Sequence, residues 1–176
     1  MEKVIVIAGP TASGKTALAV ELAKRINGEV ISCDSMQIYK DMSIGTAKPT
    51  VEEMDGVPHY LIDFISPDER YSVADFKRDA EEKIEYVLNK GKVPILCGGT
   101  GLYIDTLVFG IDYPEIELDQ EYRDELMKRA ESEEGLKKLY DEAKKIDSEA
   151  MEKISENDKK RITRVLELYK ATGKTK

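Results

Sequence analysis

The sequence predicts an α/β protein: a parallel sheet flanked by helices, followed by an all-helical insertion subdomain. Three observations carry that prediction. Short β-branched runs alternate with helix-periodic segments over residues 1–111. The first run leads through a glycine-rich loop into a helix. Beyond Gly110 the apolar residues recur only at helical spacing. With 176 residues, 41% hydrophobic and 35% charged, the chain can bury a core and is not compositionally disordered.

The elements follow in order. Residues 3–8, KVIVIA, read as a strand buried on both faces and ended by Gly9-Pro10. Residues 15–26 place Leu18, Leu22 and Ile26 on one helical face, with Asn27-Gly28 as the stop. Residues 30–33 form a second buried strand running into Asp34, and residues 59–64 a third. Ser72, with Asp75 three residues on, caps a helix over 73–89 that stops at Gly91. Residues 93–97 are a fourth strand, turned by Gly98-Gly99-Thr100-Gly101 into another helix. Pro114 marks a boundary that divides a core, 1–111, from a helical part, 112–176. Three or four amphipathic helices are expected there, near 120–131, 133–144, 148–154 and 158–171. The last carries the stripe Ile162, Val165, Leu166, Tyr169.

Gly9-Pro10-Thr11-Ala12-Ser13-Gly14-Lys15-Thr16 matches the phosphate-loop pattern GxxxxGK[ST], with a strand before it and a helix after it. Glycines let the backbone amides turn inward, and the helix N-terminus adds a positive dipole. Lys15 supplies a charge to the outer phosphate, and the Thr16 hydroxyl can ligate Mg2+. The core therefore reads as phosphate-loop NTPase-like. The fourth strand ends in Gly98-Gly99-Thr100 without the carboxylate that a phosphoryl-transfer enzyme places there to hold magnesium. Asp34, at the carboxyl rim where open α/β sheets bind ligands, can hold magnesium, act as a general base or cap a helix. Thr100, on the same rim, can donate to a substrate or cap the helix behind it.

Composition excludes other chemistry. Cys33, Cys97 and His59 are too few for a zinc cluster or a disulfide framework, and the two cysteines read as small buried hydrophobes. No apolar run is long enough for a membrane span, and the N-terminus is not a signal peptide, so a cytoplasmic setting is expected. The net charge of −8 is unevenly spread. Residues 1–111 carry 12 basic and 17 acidic residues, 112–152 carry 7 and 15, and 153–176 carry 8 and 3. That basic end is either a solvated helix face or a nucleic-acid surface.

GPTASGKT, DSMQIY (34–39), IGTAKP (44–49), YSVADF (71–76), GGTGLY (98–103) and NDKKRITRVLE (157–167) together resemble the tRNA dimethylallyltransferase family, in its order and spacing from Val4 to Lys174. The resemblance implies transfer of a dimethylallyl group from dimethylallyl diphosphate to the exocyclic amine of the adenine 3′ of the anticodon. It implies that Gly9–Thr16 hold the diphosphate with Mg2+, that Asp34 is the base, and that Thr100 touches the adenine or the diphosphate. Ser35, Met36, Gln37, Arg123, Asp158, Lys159, Lys160, Arg161 and Ile162 are the positions it assigns to the tRNA anticodon stem-loop, bound by a monomer. The family's chains are longer, so a C-terminal part with more core and more tRNA surface is expected beyond Lys176. Two other readings follow from the loop alone: a small-molecule kinase using ATP, and a fragment that binds through the loop but catalyses nothing.

Overall fold

A computed structural model describes residues 3–111 and 119–175. The chain divides into two compact units, Met1–Pro114 and Glu115–Lys176. Pro114 itself lies outside the described residues.

The first unit holds β1 (Ile5–Ala8), α1 (Lys15–Ile26), β2 (Gly28–Ser32), α2 (Val51–Met54), β3 (His59–Tyr60), α3 (Val73–Asn89), β4 (Val93–Gly98) and α4 (Gly101–Val108). The four strands are parallel in the order β1-β4-β2-β3. Period-two alternation sends neighbouring residues of β2 and β4 to opposite cores. Val30, Ile95 and Cys97 pack with Ala19, Val20 and Ala23 of α1. Ile31 and Leu96 pack with Phe76 and Ala80 of α3 and Tyr103 of α4. The Phe76 and Tyr103 rings stack at 3.9 Å. Register pairs Ala8 with Gly98 and Ser32 with Cys97, so the carboxyl ends of β1, β4 and β2 share one rim.

Several elements depart from the sequence reading. Among the described residues β1 lies at the sheet edge: Ile5 and Ile7 pack against the α1 core, whereas Val4 and Val6 are each 39% exposed. β2 begins at Gly28, two residues early, because Asn27 takes the left-handed turn alone (φ 55°). The third strand is two residues long: Leu61 (φ 55°) and Asp63 (φ 59°) leave the extended region, and pairing resumes only at the Tyr39–Ile65 bridge. The short helix α2 was not anticipated, although Thr50 and Glu53 form a reciprocal capping box. Ser72 and Asp75 form the expected box on α3.

The second unit packs α5 (Gln120–Arg129), α6 (Glu133–Ile146), α7 (Ser148–Glu152) and α8 (Lys159–Thr172). Leu126, Leu139, Met151 and Ile162 sit at the centre of its core with Val165 and Leu166. Tyr169, expected in that stripe, is 43% exposed.

Candidate functional site

The phosphate loop joins the end of β1 to α1, and Gly14 at its last bend has φ 82°, which a β-carbon would strain. No side chain caps α1, so its first-turn amides face the loop with the helix dipole behind them. Ser13 Oγ donates to the Pro10 carbonyl at 2.8 Å, and the Lys15 ammonium donates to that same oxygen. Thr11 to Thr16 line a cavity of about 400 Å³. Ser32, Asp34 and Gln37 line it from the β2 side, and Thr46, Glu53 and His59 line it as well.

Asp34 follows β2 directly onto the rim. Its Oδ1 accepts from the backbone amides of Met36 at 2.9 Å and Gln37 at 3.4 Å, which closes a turn and caps no helix. Those bonds use one carboxylate oxygen and fix the direction of the other, in a side chain that lines the cavity. Gly98 permits the close fit behind it, since a β-carbon there would lie 2.2 Å from the Cys33 carbonyl oxygen.

Thr100 does not cap α4 with its side chain. Its hydroxyl accepts from the Ser35 amide at 2.9 Å and donates to Ser35 Oγ at 3.3 Å, tying the β4 turn to the Asp34 turn. Gln37 is committed inside the protein: its amide donates to the carbonyls of Thr46 and Ala47 and accepts from Ser32 Oγ. Gln37 thereby holds the 44–49 loop that walls the cavity, a use the sequence did not disclose. Lys48 braces the same loop from a nearly buried side chain, donating to the Tyr39 carbonyl and to Asp63. Met36 is partly exposed beside this turn.

His59, to which the sequence reading gave no role, lines the cavity. Its Nδ1 bonds the Val57 carbonyl at 2.9 Å, while its buried Nε2 has no partner. Burial lowers its pKa, against the opposing pull of the Val57 carbonyl, so the ring is neutral at pH 7. Cys33 and Cys97 are buried free thiols, pushed up by burial to about 12 and about 11, and inert as nucleophiles.

Among the described residues no group of three His, Cys, Asp or Glu is arranged to hold a metal. The hard oxygen donors that line the cavity include the Thr16 hydroxyl and the Asp34 carboxylate. They suit Mg2+, which keeps several waters and takes only one or two protein ligands beside substrate phosphates.

In the helical unit, Asp158 is the N-cap of α8, accepting from the Arg161 amide at 3.0 Å and pairing with the Arg161 side chain. Lys159, Lys160 and Arg161 are exposed on its first turn. Ile162 has no exposed surface. Its side chain is core, which corrects the expectation of an RNA contact there, because helical periodicity turns every third or fourth residue of this run inward. Arg123 on α5 pairs with Glu167 of α8.

Among the described residues no helix is long and apolar enough to cross a membrane. The sequence pattern of the IPP transferase family matches residues 37–176. The chain is 53% identical over 174 residues to the tRNA dimethylallyltransferase of Acetivibrio thermocellus, covering 99% of this chain and 55% of that protein. It is 49% identical over 172 residues to the tRNA dimethylallyltransferase of a Thermoanaerobacter species, covering 98% and 54%. The chain thus spans about half the length of the curated relatives it matches. A solved eukaryotic dimethylallyltransferase acting on tRNA superposes with TM-score 0.80 at 37% identity, over 99% of this chain and 43% of that one. The tRNA isopentenylpyrophosphate transferase of Bacillus halodurans superposes with TM-score 0.64 at 49% identity, over 98% and 57%. A phosphate loop and a rim carboxylate around one cavity, on a sheet shared with these proteins, agree with the sequence match over residues 37–176: the chain belongs to the IPP transferase family.

Proposed function

We propose that this chain carries the catalytic residues of a prenyl transfer, moving a dimethylallyl group from dimethylallyl diphosphate to the exocyclic amine of the adenine 3′ of a tRNA anticodon. The observation that carries the reading is the lining of one cavity by Lys15, Thr16 and Asp34, opposite a β4 end that bears no carboxylate. The names of the relatives and the solved eukaryotic neighbour point to the same reaction.

The residues divide the work as follows. The backbone amides of Thr11–Thr16 and the Lys15 ammonium bind the diphosphate and neutralise the charge that develops as it leaves. The Thr16 hydroxyl would be the residue to hold Mg2+, which would supply Lewis-acid stabilisation of the leaving group. The adenine must leave its stack to reach this rim. Its amine nitrogen forms a bond to the prenyl C1 as the C1–O bond to diphosphate breaks. The free carboxylate oxygen of Asp34 accepts the amine proton, while Oδ1 stays in the turn. Thr100 acts by holding Ser35, and so the turn that carries Asp34.

Two labels test the reading. Incubated with Mg2+, tRNA and dimethylallyl diphosphate labelled in the prenyl carbon, the protein is expected to place label in the RNA. With ATP labelled in the γ-phosphate it is expected to label nothing. Transfer of the γ-phosphate without prenyl transfer would replace the proposal with the kinase reading.

A further inference from the structure

Glu167 lies in the core-facing row of α8, its side chain 5% exposed, and it takes two arginines. Arg123 of α5 approaches through Nε at 3.6 Å from Oε1, and Arg164, one turn earlier on α8, through Nη1 at 3.4 Å from Oε2. The two arginine side chains are 44% and 43% exposed. One buried carboxylate thus anchors two half-exposed guanidiniums from different helices and leaves the trio with a net positive charge. A buried acid between solvated arginines is a poor source of stability, because desolvation of the carboxylate offsets most of the attraction. What it does accomplish is to fix two long, rotamer-rich side chains. Each guanidinium has five N–H groups, and a single contact with Glu167 leaves most of them for another acceptor. Planar guanidiniums fit the oxygens of a phosphate, and here two of them share one carboxylate as anchor. Lys160 stands at i−4 from Arg164 on α8 and continues the row. The end of the chain from residue 153 carries 8 basic and 3 acidic residues, one of the three being Glu167.

We propose that Arg123 and Arg164 form a clamp for an RNA backbone phosphate and that Glu167 is its positioning residue. The proposal rests on the reading of tRNA as substrate. It adds Arg164 as a contact and gives an acidic residue a role in binding a polyanion.

The test turns on the sign of one effect. Glu167→Gln removes a negative charge from between the two arginines, and by net charge alone it tightens RNA binding. If Glu167 orients the clamp, the same change weakens binding about tenfold, the scale of one lost charge-assisted hydrogen bond. The slope of log affinity against log salt becomes shallower by about one, as for a lost phosphate contact. The probe is a 17-nucleotide anticodon stem-loop, titrated between 50 and 200 mM salt, with helix content checked by circular dichroism. Because such contacts do not read bases, a stem-loop with a scrambled loop should lose equally. Arg123→Ala and Arg164→Ala, both at half-exposed positions, decide the matter if Glu167→Gln misfolds. Each is expected to cost about tenfold, and the pair together less than the product, since one phosphate is shared. Equal or tighter binding by a folded Glu167→Gln, or arginine variants with the wild-type slope, would overturn the clamp while leaving the tRNA reading in place. A wild-type protein that binds no stem-loop would overturn both.

Discussion

Glu29, near the amino end of β2 and remote from the rim, is a carboxylate with no exposed surface. Lys90 donates to its two oxygens at 2.6 and 2.8 Å, Lys92 to Oε1 at 2.6 Å, and the Tyr60 hydroxyl to Oε2 at 2.7 Å. Burial raises the pKa of this carboxyl, but the bonds from Lys90, Lys92 and Tyr60 together outweigh burial and bring it from 4.5 to about 2. At about 1.4 kcal/mol per pH unit, that difference corresponds to about 3 kcal/mol of folding stability. The folded pKa lies below the unfolded one. The stabilisation is therefore complete above about pH 4.5 and disappears as the pH falls toward 2. Glu29→Gln keeps the shape and removes the charge. It is expected to cost about 3 kcal/mol at pH 7 and little near pH 2. Urea titrations read by amide protection of β2 and β4 follow the sheet itself, so unfolding of the helical unit does not enter the measurement. Taking wild type minus variant at each pH cancels every other carboxylate. A difference that stays constant between pH 6 and pH 2.5 would refute the assignment of this cluster as an ion-paired anchor for β2.

The other tests address the rim. Lys15→Ala should slow prenyl transfer about 10²- to 10³-fold, the scale of one lost charge-stabilising donor, with the Tm unchanged; full activity would remove the loop from the reaction. Asp34→Asn keeps the Oδ1 acceptor for Met36 and Gln37 and so keeps the turn, but removes the base. Single-turnover transfer should fall about 10²- to 10⁴-fold at unchanged RNA affinity, and a loss confined to affinity would make Asp34 a recognition residue. Thr100→Val deprives the Ser35 amide of its acceptor and should lower kcat while sparing diphosphate affinity; Thr100→Ser should restore the rate. If Thr100→Ser is as slow as Thr100→Val, the tie to Ser35 is not what matters.

The parts of the fold legible in the sequence were those set by local rules. α1 reads from its phosphate loop to Asn27, and α3 from the Ser72–Asp75 box to its last turn, because caps and periodicity act within a few residues. The third strand misled because residues 59–64 are apolar enough for a strand while the backbone turns at Leu61 and Asp63. Leu61 carries no residue-type signal for that turn, and Asp63 only the weak preference of a short polar side chain for the left-handed region. β1 differs in another way: a β-branched run does not say which faces are covered, and among the described residues β1 lies at the sheet edge.

At the site, the difference between what could and could not be read is one of distance along the chain. The phosphate loop is a contiguous motif, so its residues declare themselves together. Gln37, Thr100 and Glu167 do their work through partners 9, 65 and 44 residues away, and nothing in a linear pattern separates them from residues that touch a ligand. All three occupy motifs or neighbourhoods that the resemblance ties to substrate. In the structure each spends its polar atoms on the protein: on the 44–49 loop, on Ser35, and on two arginines. A residue of this kind sets where the Asp34 carboxylate or a guanidinium stands, and under the proposed transfer its loss would be felt as misplacement, to which such a reaction is steeply sensitive. Mutational effects at Gln37, Thr100 and Glu167 should therefore fall on the rate or on the salt slope, and conservative replacements that keep the internal bond should recover them.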